Sequence, residues 1–424
     1  MNLLNASKSE LNTLYSQLKE QYTACCSKGL KLDMSRGKPS AAQLDIVEPM
    51  LTVLSANEQT KSLEADTRNY GILTGIIECR ELFAEILEVP VDNVIAGGNS
   101  SLTMMYDTIM RLWVFGAPES KRPWIQEEKV KWLCPVPGYD RHFSICQQLG
   151  IEMIPVPMTE DGPDMDIVEA LAADRAVKGI WCVPKYSNPQ GYVYSDDCVR
   201  RLANMKTGAE DFRIFWDNAY VVHHLTDERP ALLNIFDECA QAGNPDRVII
   251  YTSTSKITYP GAGVAAMACS DTNIKWSKKI MTVQGIGPDK VNQLRHCRFL
   301  PNAEAVDALM VKHAELMRPK FDTVNDMLMR ELGDTGVASW LAPKGGYFIS
   351  FDALPGCAKR IHKLCADAGV VLTNAGATYP YGIDPEDKNI RIAPSLPPVE
   401  ELRAAMEVFC ICTKLAAVEK LLDK

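Results

Sequence analysis

The chain has 14 cysteines but no CxxC pair, so the ligand spacing of a zinc ribbon is missing. It has no Walker A loop, and no GxGxxG follows a strand pattern, which disfavours a nicotinamide dehydrogenase. No apolar run reaches the ~18 residues that would span a bilayer. The first 21 residues, MNLLNASKSELNTLYSQLKEQ, carry no basic n-region and no long apolar h-region, so they do not read as a secretory signal. No Lys/Arg run stands out. The 45 basic and 54 acidic residues give a formal charge of −9, and nucleic acid is not expected as the main partner. Small anions stay open, because they need local cations and backbone N–H groups rather than net positive charge. Short-period repeats and low-complexity tracts are also missing. These absences predict a cytoplasmic chain in a reducing compartment, with cysteines serving mostly as small buried apolar residues.

What is present is an ordinary globular composition. Hydrophobic residues make up 46% and charged residues 23% of 424, enough apolar surface to bury a sizeable core. At roughly 150 residues per domain, length suggests two or three domains. Leu11, Leu14, Tyr15, Leu18 and Tyr22 share a helical face that Ser7 or Ser9 caps and that ends near Gly29. The following Met34-Ser-Arg-Gly-Lys-Pro-Ser40 is too rich in Gly and Pro for a helix or a central strand. From residue 92 onward, apolar runs at 94–96, 130–134, 151–156, 179–183, 213–217, 247–252 and 263–268 read as strands. Helical patterns such as 102–113, 165–176 and 196–206 lie between them. This alternation predicts an α/β domain with a mostly parallel sheet and right-handed crossovers. After residue 293 a long helix over 302–331, strands near 347–352, 370–373 and 389–392, and a closing helix over 399–422 read as a smaller α+β domain.

Five segments carry chemistry. Val94-Ile-Ala-Gly-Gly-Asn-Ser-Ser-Leu102 runs a strand through two glycines into small polar residues that begin a helix, which suits a phosphate. Alone, it reads equally well as a strand–turn–helix with a Ser N-cap. Pro135-Val-Pro-Gly-Tyr-Asp-Arg-His-Phe143 follows a buried strand, where a tyrosine can stack on a flat ring; taken alone, ordinary turn chemistry and a buried aromatic explain it better. In Val183-Pro-Lys-Tyr-Ser-Asn-Pro-Gln-Gly191, Asn188 marks a turn and also offers an amide donor. Arg213-Ile-Phe-Trp-Asp-Asn-Ala-Tyr220 ends a strand on Asp217, a carboxylate that is costly there unless solvated or paired. A protonated ring nitrogen is one candidate partner, a helix cap or an Arg/Lys pair another. Tyr251-Thr-Ser-Thr-Ser-Lys-Ile-Thr-Tyr-Pro-Gly-Ala-Gly263 sets Lys256 among hydroxyls after a strand, and a desolvated lysine can form a Schiff base, although lone lysines are usually surface charges.

The ordered set, with Asn389-Ile-Arg-Ile-Ala-Pro-Ser395 near the end, resembles the fold-type I pyridoxal-phosphate enzymes, specifically the class I aminotransferases. The resemblance runs from Tyr70 to the end of the chain. Met34-Ser-Arg-Gly-Lys-Pro39 and Gly285-Ile-Gly-Pro-Asp-Lys-Val-Asn-Gln-Leu-Arg-His296 look like a divergent bacterial aspartate aminotransferase subgroup. The resemblance implies a large domain with a mostly parallel seven-stranded sheet plus a smaller α+β domain. It divides the chain into an N-terminal helix and arm (1–45) packing with the small domain, a large cofactor-binding domain (46–295) and a small C-terminal domain (296–424).

The same resemblance assigns roles. Lys256 would hold pyridoxal 5′-phosphate as a Schiff base and move the substrate proton, and Asp217 would keep the pyridine nitrogen protonated. Asn188 and Tyr220 would donate to the ring oxygen, and Tyr139 would stack on the ring. Ser100, the Gly98-Asn99 backbone, Ser253 and Ser255 would hold the phosphate, joined by Tyr70 from the other subunit of a homodimer with shared sites. Arg391 would bind the substrate α-carboxylate, with Asn188, Arg36 and Gly37 also at the substrate; Arg36, Lys38 and Arg141 are candidates for a distal carboxylate. One departure stands out. The family usually has a phosphate-pairing arginine eight residues after the lysine, and here that position is Val264. The implied activity is ping-pong transfer of an amino group between an amino acid, aspartate in this subgroup, and a 2-oxo acid, 2-oxoglutarate. An aromatic or 2-aminoadipate aminotransferase and a carbon–sulfur lyase are alternatives on the same fold. A cofactor-sensing regulator is disfavoured, because the 30 residues before the arm are too few for a winged helix.

Overall fold

Seven of the apolar runs become strands of one large sheet in the computed structural model, which describes residues 1–55 and 60–423. The order across the sheet is Val94–Ala96, Ala265–Cys269, Val248–Ser253, Arg213–Asp217, Val177–Cys182, Lys131–Val136 and Glu152–Thr159. Ala265–Cys269 runs antiparallel to both of its neighbours, and the remaining pairs are parallel. The central strands are buried at every position, as strands covered by helices on both faces must be. The sheet has eight strands rather than the expected seven. After Thr159 the chain turns back, and Gly162–Pro163 pairs with Met158 and Thr159 as a two-residue edge. Gly162 makes that turn at φ +126°, a conformation L side chains rarely adopt.

A second core forms around a three-stranded antiparallel sheet of Ala338–Trp340, Ile349–Ala353 and Asn389–Ile392. Helices Ala358–Asp367 and Val399–Leu422 pack with it. So does the N-terminal helix Lys8–Ser27, through Leu11, Leu18 and Cys25. Ser7, not Ser9, caps that helix, in a capping box with Glu10. The arm that follows is tied down by Leu32–Asp33, which pairs parallel with Val370–Val371. The 30-residue helix Ala303–Leu332 places Val306, Leu309 and Met310 in the large-sheet core and Met317 through Leu332 in the second. No helix among the described residues is long and apolar enough to cross a membrane.

Candidate active site

The carboxyl ends of the parallel strands and the two loops that follow the Gly-Gly and hydroxyl-rich motifs converge on a cavity of 560 Å³. Lys256, Asp217, Tyr220, Tyr139, Asn188, Ser100, Ser253, Ser255, Arg391, Arg36 and Gly37 all line it. Gly98 and Asn99 line an adjoining pocket of 290 Å³ that shares Ser100. Tyr70 lines neither; it is 82% exposed on the surface of the chain.

Asp217 closes its strand inside the protein at 3% exposure. One oxygen, Oδ2, lies 3.0 Å from His142 Nε2. The other, Oδ1, is buried without a hydrogen-bond partner. His142 sits one helical turn beyond Tyr139 and stacks on Trp181 at 4.3 Å between ring centroids, which fixes the imidazole against the carboxylate. An orphaned, desolvated carboxylate oxygen is expensive unless a cationic donor meets it. A protonated pyridine nitrogen is such a donor, so the site fits pyridoxal phosphate at this end.

Lys256 occupies the turn after Val248–Ser253, its Nζ 4.9 Å from the centre of the Tyr220 ring. Burial pushes its amine below the ordinary lysine range, and the Asp217 carboxylate offsets part of that. Burial also raises the neighbouring phenols, Tyr220 well above its usual value and Tyr139 to about 12, so both remain donors at neutral pH. The lysine turn is pinned from behind. Gln43 Nε2 donates to the Tyr347 hydroxyl at 3.0 Å and lies 3.1 Å from His313 Nδ1. Tyr347 in turn donates to the Lys256 carbonyl at 3.5 Å, and His313 Nε2 lies 2.9 Å from the Ile257 carbonyl.

Toward the phosphate end, Ser100 holds the N-cap position of helix Ser101–Phe115 but makes no capping bond, which leaves its hydroxyl available. Ser253 Oγ donates to Ser255 Oγ at 3.0 Å. Val264 belongs to the large-sheet core, and its backbone exchanges two hydrogen bonds with Thr254. The position that usually carries an arginine therefore braces the lysine loop. At the opposite end Arg391, 7% exposed, packs on Phe348 at 4.8 Å from the ring centroid. Its Nη1 donates to Asp140 Oδ1 at 2.9 Å and to Asn188 Oδ1 at 3.4 Å. Arg36, Lys38 and Arg141 line the cavity while remaining exposed. Sequence reasoning assigned no role to His142, Trp181, Asp140, Phe348, Gln43 or His313. Only His142 had a readable signal, its helical spacing from Tyr139.

A family model described as aspartate amino-transferase matches residues 6–424. An aspartate aminotransferase of Corynebacterium glutamicum is 50% identical over 409 residues, covering 96% of this chain and 95% of that one. The crystal structure of an aspartate transaminase from the same species superposes with a TM-score of 0.97 at 49% identity, over 99% of each chain. An α-aminoadipate aminotransferase from Thermus thermophilus, complexed with a phosphopyridoxyl-leucine, shares the fold at a TM-score of 0.72 and 19% identity, over 92% of this chain and 93% of that one. With nearly its whole length matched, the chain belongs to the aspartate amino-transferase family and is an aminotransferase.

Proposed function

We propose that the enzyme carries pyridoxal 5′-phosphate on Lys256 and exchanges an amino group between aspartate and 2-oxoglutarate as a homodimer. The observation that carries this reading is the meeting of Lys256 with Asp217, and its unpartnered Oδ1, in one cavity. When bound, the cofactor supplies an aldehyde that accepts the amino group and a ring that takes up the electrons of the Cα bond. Asp217 offers an anionic oxygen to the ring nitrogen, and His142 holds the other oxygen in place. Tyr220 and Asn188 donate to the ring oxygen, and Tyr139 covers the ring. Lys256, its amine made easier to deprotonate by burial, takes the proton from substrate Cα and returns it. Ser100, Ser253, Ser255 and the Gly98-Asn99 backbone cradle the phosphate with neutral donors, in keeping with Val264 at the usual arginine position. Arg391 takes the α-carboxylate, beside Asn188 and Gly37. The exposed cations Arg36, Lys38 and Arg141 are the candidates for the distal carboxylate of a dicarboxylic substrate.

The dimer reading draws on Tyr70 and on apolar side chains left in solvent, Leu63 at 82%, Val283 at 90% and Ile286 at 62% exposure, which a second copy would cover. Tyr70 then completes the neighbouring phosphate site. Thirteen of the 14 cysteines are buried, as small apolar residues of a reducing cytoplasm would be. The expected division into an arm (1–45), a large (46–295) and a small (296–424) domain is part of the same proposal; the separate cores support a large and a small domain, with Cys297 through Met310 still packed in the large-sheet core. The test is direct. Purified protein should be yellow, and borohydride should bleach it; Lys256→Ala should carry no reducible adduct. Aspartate with 2-oxoglutarate should give oxaloacetate and glutamate. A reducible adduct in the alanine variant would remove the lysine assignment, and no turnover of any dicarboxylic amino acid would remove the substrate pair.

A further inference from the structure

We propose that Asp140 is a built-in rival of the substrate: its carboxylate occupies the Arg391 guanidinium in the resting enzyme and must yield it to the incoming α-carboxylate. Asp140 is therefore a specificity-determining, positioning residue that sets how tightly the site holds carboxylates. This deepens the proposed function and rests on Arg391 as the α-carboxylate docking point.

Arg391 is almost wholly buried, and its Nε has no partner. A lone guanidinium there would be costly, so a resident counter-charge is required. Asp140 supplies it through the 2.9 Å bond to Nη1, from a side chain still one-third exposed in the cavity. It sits in the first turn of helix Asp140–Gln148, the end of the helix dipole that favours negative charge. Asn188 Oδ1 faces the same Nη1, and Arg141 adjoins Asp140 in sequence while lining the same cavity. When a substrate carboxylate arrives, two anions face one buried cation. Asp140 must then give up its bond and turn toward solvent, where Arg141 can take its charge. That exchange lowers the affinity for every carboxylate ligand and eases release of the product acid.

The experiment titrates the holoenzyme with maleate, an unreactive dicarboxylate, by calorimetry. Asp140→Asn keeps the size and an acceptor oxygen but removes the charge. Maleate affinity should rise about five- to tenfold, the gap between a charged and a neutral hydrogen bond. KM for aspartate should fall with it, and kcat should change less than KM. Asp140→Ala, with thermal melts as a folding control, should tighten maleate in the same direction. Unchanged or weaker maleate binding in folded Asn and Ala variants would overturn the proposal, because Asp140 would then only orient Arg391. Arg391→Gln separates the two readings. Loss of maleate binding there keeps Arg391 as the docking point whatever Asp140 does; full retention would refute both.

Discussion

Replacing Asp217 with asparagine should move two properties in opposite directions. The side chain is 3% exposed, with Oδ2 held by His142 at 3.0 Å and Oδ1 buried and unpartnered. If Oδ1 receives a protonated ring nitrogen, the contact is a charge-assisted hydrogen bond of about 1.5–3 kcal/mol. Its loss should weaken cofactor binding by roughly 10- to 150-fold. Without the cofactor, the same oxygen is a desolvated anion with nothing opposite it. The asparagine would present a neutral amide at equal volume and still accept from His142. The cofactor-free variant should therefore be as stable as the parent, or more stable by about 1–3 kcal/mol. Asp217 also offsets part of the burial effect on Lys256, so the variant's lysine amine should deprotonate at lower pH than the parent's. The assay is titration of cofactor-free protein with pyridoxal phosphate by tryptophan fluorescence, alongside denaturant melts of both cofactor-free proteins. A variant that binds the cofactor as tightly as the parent, or that is less stable when stripped, would refute the docking of the ring nitrogen on Oδ1.

Two further outcomes are expected. In Gly37→Ala the new Cβ would lie 2.5 Å from the Phe348 ring, whose centroid stands 4.8 Å from Arg391 Cζ; steady-state kinetics should show KM raised several-fold, and an unchanged KM would mean that Phe348 does not set the guanidinium. His296, buried between Thr258 and Asn292, is pushed down to about 4 by burial. The unfolded chain takes up that proton near pH ~6.5 and the folded one only near 4, so this contribution is complete above ~6.5 and is lost as pH falls across that window, up to roughly 3 kcal/mol. Denaturant melts of His296→Gln should show a shallower loss of stability between these pH values than the parent, and an identical slope would reject the burial argument.

Local patterns made much of the fold legible. Arg213–Asp217, Asn389–Ile392 and Val399–Leu422 form over the residues their patterns mark, because each is a short strand or helical pattern bounded by turn residues. The strand expected at 179–183 instead spans Val177–Cys182. Lys178 obscures its start, since that lysine is buried and paired with Asp211 at 2.7 Å, and Pro184 cannot continue the ladder. The helix expected to reach residue 176 stops at Ala172, where Asp174 accepts from the Ala176 N–H and turns the chain. The cavity residues announced by strand-end motifs were legible as types. Their supports were not. Asp140 meets Arg391 across 251 residues, and Gln43 meets Tyr347 across 304, so no local spacing reveals either contact.

The helix Ala303–Leu332 has one further consequence. At about 1.5 Å per residue it is a rod some ~45 Å long, with Val306 anchored in one hydrophobic interior and Leu332 in the other. Melting either interior would strip a run of apolar side chains from this shared beam and leave the survivor with an open wound. The two interiors are thus tied to one member, and they are expected to stand or collapse together.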